Sequence, residues 1–230
     1  MFERFKQRSY ELERLDTGDY TPEEYARWER EMPWIHGFWG EARALEDSLK
    51  GHAKGIAGSR ISVLDIGAGS GGILKIVRRM LAERPILAVG LELSDAALAT
   101  LHNESGSTGI QPVKADATRL PFADGAFDYV ICTLLMHHLS DDDAIGLVSE
   151  MNRVASRNFY VVDLHRHPVG YYLYRLLSPV FLQKFTQEDG ALSILRSFTP
   201  SEMLDIAGKA GVQNAAVRHS RANRLILSRG

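Results

Sequence analysis

The segment VLDIGAGSGG, Val63 to Gly72, has the residue types and spacing of a ligand-binding turn. Its apolar start is typical of a buried strand, and its glycines at 67, 69 and 71 permit a sharp turn at which a ligand can touch the backbone. Because Gly67, Gly69 and Gly72 also satisfy the dinucleotide-binding pattern, the glycines predict a nucleoside-type ligand without distinguishing NAD from other nucleosides.

Three carboxylates at the ends of predicted strands extend this site. Asp65 lies two positions before the first glycine, where it can orient backbone amides or meet an ammonium group, and where it would repel a pyrophosphate. Glu92 ends a strand in VGLELS and can accept hydrogen bonds from ribose hydroxyls. Asp116 follows a strand in VKADATRLPF, at a position suited to an adenine amino group. The four features together predict one nucleoside site at the carboxyl edge of a parallel sheet.

With LDIGAGSG, GLELS, KADATRLPF and FDYVICTLLMHHL in this order, roughly residues 60–165 resemble the class I S-adenosylmethionine (SAM) dependent methyltransferases that act on small molecules. The resemblance implies SAM as cofactor and S-adenosylhomocysteine (SAH) as product. By that likeness Asp65 and the loop hold the methionine part, Glu92 the ribose and Asp116 the adenine. The cofactor-binding residues that it implies are Asp65, Gly67, Ala68, Gly69, Glu92, Leu93, Asp116, Ala117, Thr133 and Leu134.

Two histidines, His137 and His138, follow the fourth predicted strand and are the candidate catalytic residues, as a base or as a substrate orienter. Their structural alternative is to hydrogen-bond the start of the next helix. Asp163, His165 and His167 follow the next strand, and the expectation there is that Asp163 could pair with His165 or His167 to give an orienter and a base. His-x-His with carboxylates also permits a metal site, but these ligands cluster in too little sequence for a complete set, and no metal is predicted.

Strands and helices alternate from Ile61 onward, which predicts an α/β fold, a three-layer sandwich around a mainly parallel sheet. The resemblance implies a Rossmann-like sheet of seven strands with an antiparallel last strand. Helices are expected at 70–82, at 141–154 and from Thr199 onward. Strands are expected near 61–66, 86–91, 110–114, 127–133, 157–164, 213–218 and 223–228.

The expected domain organisation is an N-terminal helical cap over residues 1–58 and a SAM-binding domain over 59–230, with a helical insertion at 168–190. The cap contains Trp28, Trp34 and Trp39, and a loop is expected at 52–59. The insertion is rich in tyrosine, phenylalanine and leucine. It could form a lid over an apolar acceptor, or its aromatic residues could simply bury the helices against each other.

Composition narrows the possible partners. The net charge of −2 gives no overall attraction to nucleic acid, and no apolar run is long enough for stable membrane insertion. The single cysteine, Cys132, excludes an internal disulfide framework, as expected for a cytoplasmic protein. The predicted partner is a small apolar or aromatic acceptor, and the sequence leaves the oligomeric state open.

Further motifs bear on the acceptor. ELERLDTGDYTPEEYARWEREM, DLHRHP and EDGALSILRSFTP resemble segments of bacterial methyltransferases associated with polyketide-type products, which favours O-methylation of a phenolic or polyketide-like acceptor. TLLM, Thr133 to Met136, departs from the Asn/Asp-Pro-Pro-aromatic tetrad of nucleic-acid amine methylases. The alternatives are a non-catalytic SAM-binding partner protein and a nicotinamide-dependent oxidoreductase.

Overall fold

A computed structural model describes residues 3–39, 44–46, 48–49, 60–82, 85–220 and 222–230. The loop expected at 52–59 lies outside the described residues. Seven strands of the described residues form one sheet, and all seven lie within two residues of the predicted bounds at both ends. The strands are β1 (Ile61–Ile66), β2 (Ile86–Glu92), β3 (Ile110–Lys114), β4 (Phe127–Thr133), β5 (Ala155–Leu164), β6 (Ala215–Ser220) and β7 (Arg224–Arg229).

The strand order is β3-β2-β1-β4-β5-β7-β6. β1 pairs in parallel with both β2 and β4, whereas β7 is antiparallel to both β5 and β6. The predicted mainly parallel sheet with an antiparallel last strand is confirmed. Because the chain leaves β1 for one side of the sheet and later returns to β4 on the other, a crevice opens at the carboxyl ends of these two strands.

Helices cover both faces of the sheet and its carboxyl edge. The three predicted helices are present, over residues 72–80, 141–154 and 200–209. The helices are α1 (Arg14–Thr17), α2 (Pro22–Trp39), α3 (Gly72–Met80), α4 (Asp95–Thr108), α5 (Asp141–Val154), α6 (Pro168–Phe181), α7 (Lys184–Arg196) and α8 (Pro200–Lys209). Residues 44–46 and 48–49 are also helical. None of the helices in the described ranges is long and apolar enough to cross a membrane.

Capping residues fix several helix starts. The Thr199 hydroxyl and the Glu202 carboxylate cap each other's backbone amides around Pro200, the first residue of α8. Thr21 and Glu24 make the same reciprocal pair of hydrogen bonds at the start of α2. Ser140 caps α5, whose first turn carries three aspartates at the positive end of the helix dipole.

The period-two pattern of the strands separates two apolar clusters. Leu64 and Ile66 of β1 pack on the face covered by α5 and α8, and Val63 packs on the opposite face with Leu74 and Val77 of α3. Side chains that alternate along a strand point to opposite faces of its sheet. The sheet is therefore the middle layer of a three-layer sandwich, as predicted.

A third cluster joins the chain's N-terminal residues to the segment after β5. Phe5 packs with Tyr171 and Tyr174 of α6 and with Ile194 of α7. The predicted insertion consists of two helices, and the second continues beyond residue 190 to Arg196. We call residues 3–19 the N-terminal strap, because they run along α7 and the segment that follows β4.

Candidate active site

The glycine turn after β1 is held tightly against β2 and the segment that follows β4. The amides of Gly67 and Ala68 donate to the Leu91 carbonyl at 2.9 and 3.0 Å. Gly67 has φ of +71°, and a Cβ there would lie 3.0 Å from Leu135 Cδ2. The turn therefore needs glycine both for its left-handed backbone and for space.

Asp65 lies beneath this turn with an unsatisfied oxygen. Its exposed fraction is 1%, and its Oδ1 has no hydrogen-bond partner. Burial, together with the negative charge of Glu92, raises its pKa well above the usual value. A buried carboxylate oxygen without a donor is costly, so a ligand ammonium group would supply what the site lacks.

Glu92 connects the end of β2 to the glycine turn. Its Oε2 accepts the Gly69 amide at 3.0 Å, and its Oε1 accepts the amides of Leu93 and Ser94 at 2.8 and 3.1 Å. A carboxylate offers about four lone-pair sites. Glu92 can thus keep these backbone bonds and still accept a hydrogen bond from a ribose hydroxyl.

A cavity of about 760 Å³ opens beside the turn. Its described lining includes seven of the residues singled out from the sequence: Gly67, Ala68, Gly69, Thr133, Leu134, His137 and His138. Asp65 is buried beneath it, and the lining does not include Glu92, Leu93, Asp116 or Ala117. Asp116 Oδ1 accepts the amide and the hydroxyl of Thr118, both at 2.8 Å, and these bonds hold its pKa below the usual value.

The chain leaves β4 through a strained turn at Leu134. This residue has φ of +52°, a left-handed conformation that non-glycine residues rarely adopt. Its amide donates to the Val162 carbonyl of β5 at 3.0 Å. The turn leads into a 3-10 helix, Met136–His138, which carries both candidate histidines onto the cavity wall.

His137 is held by Asp163 at the end of the neighbouring strand. Asp163 Oδ1 lies 2.6 Å from His137 Nδ1, and both side chains are buried. Burial opposes ionisation of Asp163, but the His137 imidazole and nearby amides outweigh it and keep the pKa of Asp163 below its usual value. The expectation that Asp163 pairs with His165 or His167 is wrong. The His137 amide, which Asp163 Oδ2 accepts at 3.0 Å, brings the 3-10 helix to this carboxylate instead.

His165 and His167 belong to a separate group of rings. The centroid of His165 lies 5.1 Å from that of His167 and 5.2 Å from that of His219. His167 Nδ1 accepts the Val169 amide and caps α6. Neither His165 nor His167 is in the described lining of the cavity. Burial, then the positive charges of His167, His219 and Arg166, lower the pKa of His165 to about 4.

Glu13 is a site residue that sequence reasoning missed. Its side chain lines the cavity and is 4% exposed, and its Oε1 lies 3.8 Å from His137 Nε2. Burial raises the pKa of Glu13 to about 7, although His138 and Arg196 oppose the shift. In the sequence Glu13 stands among charged residues in ELERLD, a pattern typical of a solvated surface, and nothing local marks it.

Arginines fasten the N-terminal strap beside the histidines. Arg8 donates to the carbonyls of His137, Leu139 and Arg196 at 3.1, 3.0 and 2.9 Å, and its side chain is 5% exposed. Arg196 in turn donates to Asp16. These contacts hold the backbone on both sides of Glu13.

Aromatic side chains form much of the remaining wall. Tyr25 and Trp28 of α2 stack with ring centroids 5.5 Å apart, and both line the cavity. Tyr174 lines it from α6 and donates its hydroxyl to the Thr186 carbonyl at 2.7 Å. The cavity thus has the glycine turn on one side, an aromatic wall, and a polar end at Glu13 and His137.

Known proteins resemble this chain in sequence and in fold. Residues 63–158 match the family model described as a methyltransferase domain. Over 98 residues the chain is 36% identical to malonyl-[acyl-carrier protein] O-methyltransferase of Legionella pneumophila, an alignment that covers 42% of this chain and 33% of that protein. The chain therefore matches about a third of the length of this curated relative.

Solved structures show the fold. Magnesium protoporphyrin IX methyltransferase from Synechocystis PCC 6803, solved with SAH, has a TM-score of 0.62 at 15% identity, over 94% of this chain and 98% of that one. The citrinin polyketide synthase CMeT domain has a TM-score of 0.62 at 13% identity, over 81% of this chain and 51% of that one. At these identities the likeness shows the fold alone.

The strand order and the glycine turn after β1 define a Rossmann-like methyltransferase fold. The match to the methyltransferase-domain model covers residues 63–158, which include the strands that carry the site. SAM is the cofactor. Its amino acid part fits the glycine turn and the buried Oδ1 of Asp65, which has no hydrogen-bond partner.

Proposed function

We propose that the protein transfers the methyl group of SAM to an oxygen of a small apolar acceptor, aromatic or polyketide-like, bound in the cavity. The observation that carries the proposal is the cavity itself, which joins the glycine turn to an aromatic wall and to a buried histidine oriented by Asp163. The relative named as an O-methyltransferase supports transfer to oxygen, and the likeness in fold to a polyketide synthase domain favours a polyketide-like acceptor.

In the proposed complex Asp65 accepts the ammonium group of SAM, and Glu92 accepts a ribose hydroxyl. Asp116 and Ala117, at the end of β3, take the adenine, while Thr133 and Leu134 line the reacting centre. Leu93 packs beside the nucleoside. SAM supplies an activated methyl group when bound, and these side chains fix the direction in which that group points.

The acceptor occupies the aromatic side of the cavity. Tyr25, Trp28 and Tyr174 offer flat apolar surfaces on which an aromatic ring can pack. We assign the described part of residues 1–58 as a cap and the helices that begin at Pro168 as a lid, which together shield the acceptor from bulk water. Exclusion of water strengthens the electrostatic interactions within the site.

The polar end of the cavity acts on the acceptor oxygen. A direct displacement requires that this oxygen, the methyl carbon and the sulfur lie nearly in line, with the C–O bond forming as the C–S bond breaks and the hydroxyl proton passing to a water molecule. Asp163 accepts a hydrogen bond from His137 Nδ1–H, so Nε2 presents its lone pair beside Glu13. We assign His137 as the residue that orients the acceptor oxygen, with His138 next to it.

Calorimetry with SAH and NAD, followed by a methyl-release assay with a panel of phenols and hydroxy ketones, tests the proposal. SAH should bind, NAD should not, and methylated product should form with an apolar acceptor. Glu92→Ala should weaken SAH binding, whereas Asp142→Asn, an exposed change on α5, should not. Binding of NAD instead would favour an oxidoreductase, and SAH binding without turnover on any acceptor would favour a non-catalytic binding protein.

A further inference from the structure

Three side chains at the polar end of the cavity are arranged like metal ligands. Glu13, His137 and His138 each place one oxygen or ring nitrogen within 4.8 Å of the others, and all three line the cavity. Glu13 and His137 are buried and His138 is partly buried. Among the residues that the structure describes, this is the one group of three such side chains at that spacing.

Each histidine of the group has a carboxylate behind it. Asp163 Oδ1 lies 2.6 Å from His137 Nδ1, and Asp16 Oδ1 lies 2.9 Å from His138 Nδ1. Metal-binding histidines are usually oriented in this way, by a carboxylate that accepts the proton of the other ring nitrogen. The carboxylates come from β5 and from the N-terminal strap, so the two rings are positioned independently of each other.

The centre of the group lacks a hydrogen-bond donor for one oxygen of Glu13, Oε1. His137 Nε2 and Glu13 Oε1 are 3.8 Å apart, and Oε1 has no hydrogen-bond partner. The nearest guanidinium nitrogen, Nη1 of Arg196, is 3.7 Å from the same oxygen. Both separations are too long for a hydrogen bond. A cation between the imidazole and the carboxylate would satisfy both groups.

We propose that Glu13, His137 and a ring nitrogen of His138 bind one divalent transition-metal ion whose remaining positions open into the cavity. Two imidazoles and one carboxylate suit zinc, iron or cobalt, whereas magnesium prefers oxygen ligands. Ligand bonds of about 2.0–2.2 Å place tetrahedral ligand atoms about 3.4 Å apart, so Glu13 and His137 need only a small contraction from 3.8 Å.

Local charge also suits a divalent ion. The carboxylates of Glu13, Asp16 and Asp163 surround the two imidazoles, and Arg196 is the cation that contacts Glu13 and Asp16. With neutral imidazoles the group retains an excess of negative charge. A divalent ion would neutralise that excess in a buried setting, where unbalanced charge is costly.

The inference rests on the proposed function and narrows its acceptor class. A hydroxyl bound to the ion loses its proton more easily, and that proton leaves to water before the oxygen attacks the methyl carbon. If the ion expands from four-coordinate to five-coordinate when the acceptor binds, two positions open, and the site favours an acceptor whose hydroxyl has a second oxygen beside it, such as a hydroxy ketone or the enol of a 1,3-dicarbonyl compound. His137 then orients the acceptor through the ion.

Zinc titration of the EDTA-treated full chain tests the site. We expect one equivalent of Zn²⁺ to bind by calorimetry and Mg²⁺ to produce no binding. Glu13→Gln should lower the Zn²⁺ affinity by about 100-fold or more, and Glu11→Gln, an exposed change on the same strap, should leave it unchanged. Failure of the wild-type chain to bind Zn²⁺, or equal affinity in Glu13→Gln, would overturn the proposal.

Two further variants guard against misfolding and against a rival site. Asp16→Asn keeps all three ligands and should lower Zn²⁺ affinity about 10–100-fold. His165→Gln changes the separate group of histidine rings and should leave the Zn²⁺ affinity unchanged. If this variant lost Zn²⁺ binding while Glu13→Gln kept it, the ion would bind at the other histidines and the inference would be rejected. If the chain binds SAH but not Zn²⁺, the metal site is rejected and the proposed function stands. If the chain does not bind SAH, the proposed function is rejected.

Discussion

Asp163 holds His137 at two points. Its Oδ1 lies 2.6 Å from the ring Nδ1, and its Oδ2 accepts the backbone amide of the same histidine at 3.0 Å. The first contact fixes the tautomer and rotation of the ring, and the second fixes the 3-10 turn that carries it. One carboxylate at the end of β5 therefore determines which nitrogen of His137 faces the cavity.

Replacement of Asp163 by asparagine tests this relationship. The amide group of Asn would direct an N–H towards Nδ1 and favour a proton on Nε2, so Nε2 would no longer present a lone pair. We expect Asp163→Asn to lower Zn²⁺ affinity and the methyl-transfer rate about 10–100-fold. SAH affinity should not change, because Asp163 hydrogen-bonds His137 and the Leu164 amide rather than any residue assigned to SAM.

The control for Asp163→Asn is Asp142→Asn, which removes an exposed aspartate on α5. It should leave Zn²⁺ affinity, SAH affinity and turnover at wild-type values. If Asp163→Asn also retained full Zn²⁺ affinity and turnover, the assigned tautomer of His137 would be wrong.

Asp65→Asn should weaken SAH binding about 10–100-fold by calorimetry, the loss expected from a hydrogen bond of about 1.5–3 kcal/mol to a charged group. The fold should tolerate the change, because burial already disfavours the charged form of Asp65 in the free protein. An unaltered thermal midpoint checks that point.

The same carboxylate makes SAH binding depend on pH. The pKa of Asp65 is raised in the free protein, and the ligand ammonium favours the ionised form, so binding releases a proton. SAH affinity should therefore rise with pH as Asp65 ionises in the free protein, and this rise should disappear in Asp65→Asn. A parallel pH profile in both proteins would show that the ammonium group binds elsewhere.

Arg8→Ala should release the N-terminal strap. The Arg8 guanidinium donates to three carbonyls and to Asp141, and its loss removes hydrogen bonds to a charged group worth about 2–3 kcal/mol in total. Hydrogen exchange of residues 9–19 should accelerate, and Zn²⁺ affinity should fall even though Arg8 is not a ligand, because the strap carries Glu13.

Lys6→Ala, which removes an exposed pair with Glu3, is the matched control. Unchanged exchange in Arg8→Ala would contradict this role of the strap.

Local patterns in the sequence predicted the sheet well. β1, β3 and β4 have the predicted bounds. For β1 and β4 the signal is a mostly apolar run of six or seven residues bounded by turn residues. The glycine turn after β1 was also predictable, since the positive φ angles at Gly67, Gly69 and Gly71 require glycine. β5 begins earlier than predicted, at Ala155, since α5 passes into it without an intervening loop.

The polar end of the site was only partly predictable. His137 was singled out by its position after β4, but its partner was misassigned, because pairing across 26 residues depends on which strands are neighbours. Glu13 was missed because its role comes from distant contacts of Arg8 and Arg196. The periodicity of apolar residues does not predict contacts between residues that are far apart in the chain. A charged residue in a charged segment is also typical of a protein surface.

His165 should make the protein less stable in mild acid. Burial and the neighbouring cations His167, His219 and Arg166 lower its pKa to about 4 in the folded state, against about 6.5 in the unfolded chain. Between these values the unfolded state binds more protons, so stability should fall as pH drops from about 6.5 to about 4.

With the ring only half buried, we expect His165→Gln to reduce this loss by about 1 kcal/mol, or about 2–4 °C in the thermal midpoint. Thermal unfolding in EDTA across this range measures it, with His102→Gln, an exposed change on α4, as control. Identical pH dependence in wild type and His165→Gln would mean that His165 titrates normally in the fold.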